Sequence, residues 1–313
     1  MIVFGPVPSR RLGRSLGVNN IPPKVCSYSC VYCQLGRTQT MKVEQAEFYE
    51  PALIWQEVQD KLGQARDSGE TVDYLTFVPD GEPTLDARLG EHIGLLRQAG
   101  IPIAVISNSS LVQRSEVREV LAQADWVSLK VDAVDENTWR RVDRPHGQLR
   151  LSEIMDGARE FARTYQGELV TETMLVAGLN DEESQLKQVA DYLGQLGPAI
   201  SYLSVPTRPP AEEWVRPPSE NALNRAYQLV AEKVERVEYL IGYEGNAFSA
   251  SGDLEKDLLS ITAVHPMRAE AVQDLVMRGG GSWQTVEELL ERRCLVKAEY
   301  AEHTFYLRRP NSG

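Results

Sequence analysis

Between residues 15 and 234, short β-rich apolar runs alternate with longer amphipathic segments, and this alternation narrows the possible folds more than any other feature of the chain. Strands are expected at Ser15–Asn19, Val72–Val78, Ile103–Ser107, Trp126–Val131, Leu169–Val176 and Tyr202–Val205. The segments Pro51–Arg66, Ala87–Gln98, Ser115–Gln123, Ser152–Tyr165, Asp181–Leu196 and Ser219–Val234 space their apolar residues as helices do. A strand, a crossover helix and another strand, repeated at this pace, build a parallel sheet covered by helices. Six such strands fit an α/β fold, an open, partial (β/α)6 barrel of the TIM type. Functional groups in such barrels collect at the C-terminal strand ends.

The segment after the first strand carries Cys26, Cys30 and Cys33, three of only four cysteines in 313 residues. Thiolates gathered at C-x3-C-x2-C spacing are suited to metal ligation. A structural zinc site takes four protein ligands. The remaining candidates, Cys294, His92, His146, His265 and His303, all lie far off in sequence. A fully ligated [4Fe–4S] cluster also takes four cysteines, so three imply one open iron, and catalysis uses an open metal position. A disulfide role fits poorly, because the chain reads as cytoplasmic. Its first residues lack a basic stretch leading into an apolar one, and no 18 consecutive residues are apolar, so neither a signal peptide nor a membrane span is expected.

C-x3-C-x2-C with an aromatic residue, Tyr32, before the last cysteine resembles the motif of the radical S-adenosylmethionine (SAM) superfamily. The resemblance implies one [4Fe–4S] cluster on Cys26, Cys30 and Cys33, and SAM bound to the open iron. One electron, supplied by a flavodoxin or ferredoxin, would break the sulfonium C–S bond and yield a 5′-deoxyadenosyl radical that takes hydrogen from a substrate. It also implies a partial barrel. The run Phe77-Val-Pro-Asp-Gly-Glu-Pro-Thr-Leu-Asp86 reads by itself as a turn in which Gly81 permits unusual φ and Pro83 fixes the chain. It resembles the family's Gly-Glu motif, with Asp80 where the family often has another glycine. Gly81, Glu82 and Pro83 would then meet SAM, the Glu82 carboxylate taking its ammonium.

Ser107 and Asn108 end the third strand and resemble the segment that approaches the SAM ribose or carboxylate; either also suits a helix N-cap. Lys130 and Asp132 share one face of the fourth strand by two-residue alternation, as ligands of SAM or substrate or as a structural ion pair. The polar run 140–146 is expected in a loop, and Glu172, Asn180, Asp181 and Thr207–Pro210 near later strand ends. No residue is assigned a catalytic role beyond the cofactors. Together with Phe4–Gly13 and Ser128–Asp132, these segments resemble radical SAM proteins grouped with the wyosine-base synthases acting on tRNA. Those enzymes carry a second cysteine trio before the first, which this chain lacks.

Near residue 250 the pattern changes. Ala247–Gly252 reads as a linker, followed by helices at Asp253–Ala263, Arg268–Met277 and Ser282–Arg292 and strands at Leu295–Tyr300 and His303–Arg308. Residues 1–250 would form the barrel and 251–313 a winged-helix-like domain, with Cys294 as a small buried apolar residue. The third helix carries Glu287, Glu288 and Glu291 and the chain a net charge of −12, which opposes duplex DNA as its partner. Docking of a peptide, protein or tRNA suits it better, and the substrate is a tRNA base, a peptide or protein, or a small metabolite. Residues 1–42 hold Arg10, Arg11, Arg14, Lys24, Arg37 and Lys42 with no acid, a basic mouth for an anion or a dock for an acidic electron donor. The alternative is an iron–sulfur redox regulator that binds nucleic acid through the winged helix.

Overall fold

The computed structural model describes residues 2–241, 253–264, 266–300 and 302–309. The expected linker at 247–252 and His265 lie outside the described residues. In chain order the elements are β1 (Val3–Ser9), β2 (Gly13–Val18), β3 (Val25–Cys26), β4 (Thr40–Met41), α1 (Pro51–Asp67), β5 (Tyr74–Phe77), α2 (Leu89–Leu96), β6 (Ile103–Ser107), α3 (Ser115–Leu121) and β7 (Trp126–Lys130). They continue with α4 (Glu136–Val142), α5 (Leu151–Thr164), β8 (Glu168–Met174), α6 (Glu183–Leu196), β9 (Ile200–Ser204), α7 (Glu220–Ala231) and β10 (Val237–Leu240). Last come α8 (Leu254–Val264), β11 (Met267–Arg268), α9 (Ala269–Arg278), α10 (Trp283–Glu291), β12 (Leu295–Tyr300) and β13 (His303–Arg308).

The main sheet runs β1-β2-β5-β6-β7-β8-β9-β10 and curls into a half-barrel. All pairs from β2 to β10 are parallel, whereas β1 pairs antiparallel with β2. The six expected strands are present, and β1 and β10 extend the sheet at its two edges. β1 escapes a strand reading because Gly5, Pro6 and Pro8 interrupt it. An edge strand tolerates proline, and the pairing register shifts between Phe4 and Val7, around Pro6. A second departure is α4. Residues 140–142, expected in a loop, form its last turn, because Asp135 caps it by accepting the Thr138 N–H at 2.8 Å.

Strand alternation sorts side chains to two faces. Ile103, Val105, Val127, Leu129 and Leu203 join the core beneath the helices. Ala104, Trp126, Val170, Ile200 and Tyr202 point into the half-barrel, where Leu12 from the β1–β2 turn plugs its floor. The inner face continues upward through Ser128, Lys130, Glu172 and Ser204, which are polar and line a cavity at the C-terminal strand ends. Register makes these residues neighbours, since Lys130 stands opposite Glu172.

The C-terminal segments have their own apolar core, including Leu258, Ile261, Val272, Leu275, Leu289 and Tyr306. Their sheet runs β11-β13-β12. Val7 of β1 packs against this core, and the Tyr300 hydroxyl donates to the Pro206 carbonyl at 3.0 Å. Cys294, expected to be buried, is only half-buried at its edge.

Candidate functional site

The cysteine segment leaves β2 at the C-terminal end of the parallel run and is held mainly by its own backbone. Lys24 N–H donates to Asp80 C=O at 2.8 Å, Val31 N–H to Val142 C=O at 2.9 Å and His146 N–H to Ser27 C=O at 2.9 Å. Val25 and Cys26 pair with Thr40 and Met41, closing the segment into a loop. A further strap comes from the chain after β9. Glu212 N–H donates to Val31 C=O at 3.1 Å, and its carboxylate takes Arg37 Nε at 2.9 Å and Arg37 Nη2 at 3.0 Å, together with Arg144 Nη1.

Cys26, Cys30 and Cys33 all line one cavity of about 320 Å³. Among the described residues, no three His, Cys, Asp or Glu side chains converge closely enough to hold a single ion. The three thiols line the same space, and Cys30 feels the charges of both Cys26 and Cys33. Burial, with the Glu82 and Cys33 charges adding to it, pushes the Cys26 thiol up to about 12. Burial and the Asp143 carboxylate hold Cys30 well above its ordinary range. Sulfurs in such surroundings become thiolates when a cation joins them, so the donor set fits an iron cluster. Asn108 Nδ2 donates to Cys26 Sγ at 3.5 Å, and the Cys30 thiol donates to Asp143 Oδ1 at 3.4 Å.

Gly81 lies where the loop after β5 crosses the cysteine segment. A Cβ there would come within 1.8 Å of the Val25 carbonyl oxygen. Its φ is not in the left-handed region, so the glycine serves close approach rather than the unusual φ expected from sequence. Glu82 is 1% exposed and fully engaged. Oε1 accepts from Ser107 Oγ at 2.8 Å, Thr84 Oγ1 at 2.6 Å and Thr84 N at 3.1 Å, while Oε2 accepts from Asn108 N at 2.7 Å. Burial raises its pKa against those hydrogen bonds. Glu82 therefore braces the ends of β5 and β6 against each other, and faces the cavity as a filled carboxylate. Pro83 does not line the cavity; it opens a buried single turn, and its carbonyl accepts from Asn20.

Across the cavity, Lys130 Nζ donates to Glu172 Oε1 at 3.0 Å, Arg11 Nη1 to Glu172 Oε2 at 2.7 Å and Ser204 Oγ to Glu172 Oε1 at 3.0 Å. Burial alone would raise the Glu172 pKa, but Lys130 and Arg11 together bring it down to about 2. Burial would likewise lower Lys130, and Asp132 and Glu172 reverse that, raising it. Arg11 climbs from the barrel floor over Trp126 and Tyr202, 5.9 and 5.8 Å from their ring centroids. Lys130 also stands 5.0 Å above the Tyr32 ring.

Asp132 lies just beyond β7 and behind the cavity wall, not on it. The Tyr32 hydroxyl donates to Asp132 and, at 3.2 Å, to Asp143, and Met174 N–H donates to Asp132 Oδ1 at 2.7 Å. Burial and the neighbouring Asp132 carboxylate hold Asp143 well above the usual carboxylate range. Of the residues expected at the cofactors, Cys26, Cys30, Cys33, Tyr32, Gly81, Glu82, Ser107, Asn108 and Lys130 share the cavity, and Pro83 and Asp132 support it from behind. Thr207 and Arg208 line it, whereas Asn180 ties the loop after β8 and His146 stands outside.

Two cavity residues were not singled out from sequence as a pair. Lys24 is 8% exposed, its φ is 64°, and its buried Nζ has no hydrogen-bond partner. Asp80 is equally buried, its Oδ1 is also without a partner, and burial raises its pKa to about 6 against the pull of Lys24. A lysine two residues before a cysteine trio, and an acid where a glycine is usual, were the available signals.

The model of the Radical SAM superfamily matches residues 20–190, which contain the cysteine loop, Gly81–Glu82, Asn108 and Lys130. The chain belongs to the radical SAM superfamily. It is 43% identical over 309 residues to a UPF0026 protein of Methanocaldococcus jannaschii, covering 98% of this chain and 96% of the relative. Among solved structures, a radical SAM methyltransferase from Sphaerobacter thermophilus superposes with TM-score 0.53 at 16% identity, covering 72% of this chain and 66% of that one. TYW1 with a lysine–pyruvate adduct bound superposes with TM-score 0.52 at 15% identity, covering 71% and 74%. These likenesses establish the radical SAM half-barrel as the fold. Radical SAM proteins typically use a [4Fe–4S] cluster and SAM, and the thiol-lined cavity fits that pair.

Proposed function

We propose that this protein is an enzyme that cleaves SAM reductively at a [4Fe–4S] cluster and uses the resulting radical on a substrate. The observation that carries the reading is the shared cavity: three half-buried cysteines line one space together with the braced Gly81–Glu82 and Ser107–Asn108 loops. When bound, the cluster supplies one electron that splits the SAM sulfonium C–S bond into methionine and a 5′-deoxyadenosyl radical, which becomes 5′-deoxyadenosine on taking a hydrogen atom. Cys26, Cys30 and Cys33 would hold three irons of the cluster and leave the remaining one open to SAM. Asn108 donates toward Cys26 and so stabilises charge on that sulfur. Glu82 fixes Asn108 and Ser107 in place, and the apolar floor under Arg11 keeps water from below.

A flavodoxin or ferredoxin supplies the electron in this reading, and the protein works in the cytoplasm. Among the described residues no helix is long and apolar enough to cross a membrane. Residues 1–250 act as the catalytic barrel and 251–313 as a winged-helix-like docking module. The test is anaerobic: reconstitute with iron and sulfide, reduce with dithionite, add SAM, and assay 5′-deoxyadenosine. Formation in the parent protein and its loss in Cys26→Ala, Cys30→Ala and Cys33→Ala are expected. A loaded cluster that neither binds nor cleaves SAM overturns the proposal and favours a redox regulator.

A further inference from the structure

A second cavity, of about 710 Å³, lies on the other side of the cysteine loop. The two cavities share Lys24, Gln34, Leu35, Gly36 and Asp80, so the end of that loop is the partition between them. The far wall comes from the C-terminal segments, through Val296, Leu307, Arg308 and Arg309. Its volume is that of a small-molecule site.

The lining has a consistent chemistry. Phe4, Ile21, Leu35, Tyr49, Pro209 and Pro210 provide apolar surface. The charged lining residues are Lys24, Arg37, Arg308 and Arg309 against Asp80 alone. Arg37 is committed to Glu212, and Arg308 donates to the Leu259 carbonyl. Lys24 is different. It is more than nine-tenths buried, it lies in the partition, and its ammonium has no hydrogen-bond partner. The Cys33, Asp80 and Cys26 charges favour this ammonium, yet none of them accepts a hydrogen bond from it and burial outweighs them, so an oxyanion that hydrogen-bonds to it would offset the cost of its burial. Its backbone is also held at φ 64°, a conformation that long side chains seldom adopt. The fold therefore places this cation in the wall at a conformational cost.

We propose that the second cavity binds a small molecule with an apolar body and an oxyanion, a phosphate or a carboxylate, whose anionic group pairs with Lys24. The body lies between the barrel and the C-terminal segments, with Arg309 at the rim. Asp80 Oδ1, unpartnered beside it, accepts a hydrogen-bond donor of the same ligand. The anion then sits in the wall of the cluster cavity, which brings the adjoining part of the molecule toward the radical. That this ligand is the substrate rests on the function proposed above, whereas its binding does not.

The experiment measures binding by calorimetry, with protein as purified and with cluster-loaded protein. The probes are phenyl phosphate and benzoate, compared with inorganic phosphate and acetate. One of the two ring-bearing probes should bind at a single site more tightly than its ring-free counterpart, and which one binds tells phosphate from carboxylate. Lys24→Asn removes the ammonium and suits the left-handed backbone; it should weaken binding at least tenfold. Val296→Trp fills the far wall and should weaken the ring-bearing probes only. Arg309→Ala, at an exposed position, serves if Lys24→Asn does not fold, and should weaken binding several-fold. No probe binding to the parent protein, or unchanged affinity in folded Lys24→Asn and Val296→Trp, overturns the proposal. Neither result bears on SAM cleavage, which the 5′-deoxyadenosine assay reads separately.

Discussion

The Glu82 carboxylate holds the backbone of Asn108, with Oε2 accepting the Asn108 N–H at 2.7 Å. This bond joins the loop after β5 to the end of β6, and Asn108 in turn reaches Cys26 Sγ at 3.5 Å. A carboxylate buried to 1% exposure thus sets the position of a side chain beside the cysteines.

Glu82→Gln keeps the shape but turns one acceptor into a donor. Its NH2 must then face either Asn108 N–H or Thr84 N–H and leave that buried backbone donor without an acceptor, at a cost of about 1–3 kcal/mol. The expected outcome is a folded protein that still loads iron but binds SAM roughly tenfold more weakly, the loss that about 1.4 kcal/mol produces. Iron and sulfide quantification with equilibrium SAM binding checks it. Parent-like SAM affinity would remove Glu82 from the positioning role.

Gly81 and Gly63 form an internal comparison. A Cβ at Gly81 would meet the Val25 carbonyl oxygen at 1.8 Å, whereas one at Gly63, inside α1, meets nothing within 4 Å. Gly81→Ala must push the β5 loop and the cysteine loop apart, and should cost on the order of 3 kcal/mol or more together with iron loading. Gly63→Ala should stabilise by about 0.5–1 kcal/mol through helix propensity. Chemical denaturation of the three proteins decides between this steric account and a purely conformational role for Gly81.

Much of this architecture was legible because it rests on local pattern. The strands β5 to β9 and the helices between them, α4 excepted, announce themselves by apolar period, and β12 and β13 match the expected hairpin residue for residue. Spacing and motif drew attention to the cysteines and Gly81–Glu82, and the fold brings them around one cavity. What escaped depends on tertiary context. β1 pairs despite its prolines because it lies at an edge. Pro83 and Asp132 were placed at the cofactors by adjacency and strand parity. Yet Pro83 begins a buried turn, and β7 ends at Lys130, so alternation no longer governs Asp132. Lys24 gives no local sign that its ammonium is buried, since that follows from loops more than fifty residues apart closing over it.

The Glu212 strap predicts a protease pattern. Glu212 is the common acceptor for Arg37 and Arg144, which fastens the chain after β9 to the cysteine loop. Glu212→Ala should let that loop open more often. Trypsin cleavage after Arg37 should then accelerate, by about tenfold if opening becomes easier by about 1.4 kcal/mol. Arg144, Arg208 and Arg216 are each followed by proline and resist the protease, so the new cut identifies the cysteine loop. An unchanged digestion rate at Arg37 would mean that backbone bonds alone hold the loop.

Glu172 gives the pH dependence its sign. Burial works against its charge, but Lys130 and Arg11 pull its pKa from 4.5 down to about 2 in the folded protein. A depressed carboxylate adds stability that is fully present above its ordinary pKa and is lost as pH falls through the folded value. The contribution at neutral pH is about 3 kcal/mol, because each pKa unit corresponds to about 1.4 kcal/mol, and both partners are largely shielded from solvent. Glu172→Gln should therefore be less stable than the parent at pH 7 by about that amount, with the gap narrowing steadily between pH 4.5 and pH 2 as the parent loses its charge. Urea unfolding at a series of pH values reads the gap directly. A difference that stays constant down to pH 2 would show that Glu172 acts by shape and hydrogen bonding, with Ser204 as its main partner, and not by neutralising Lys130 and Arg11 in the wall of the cavity.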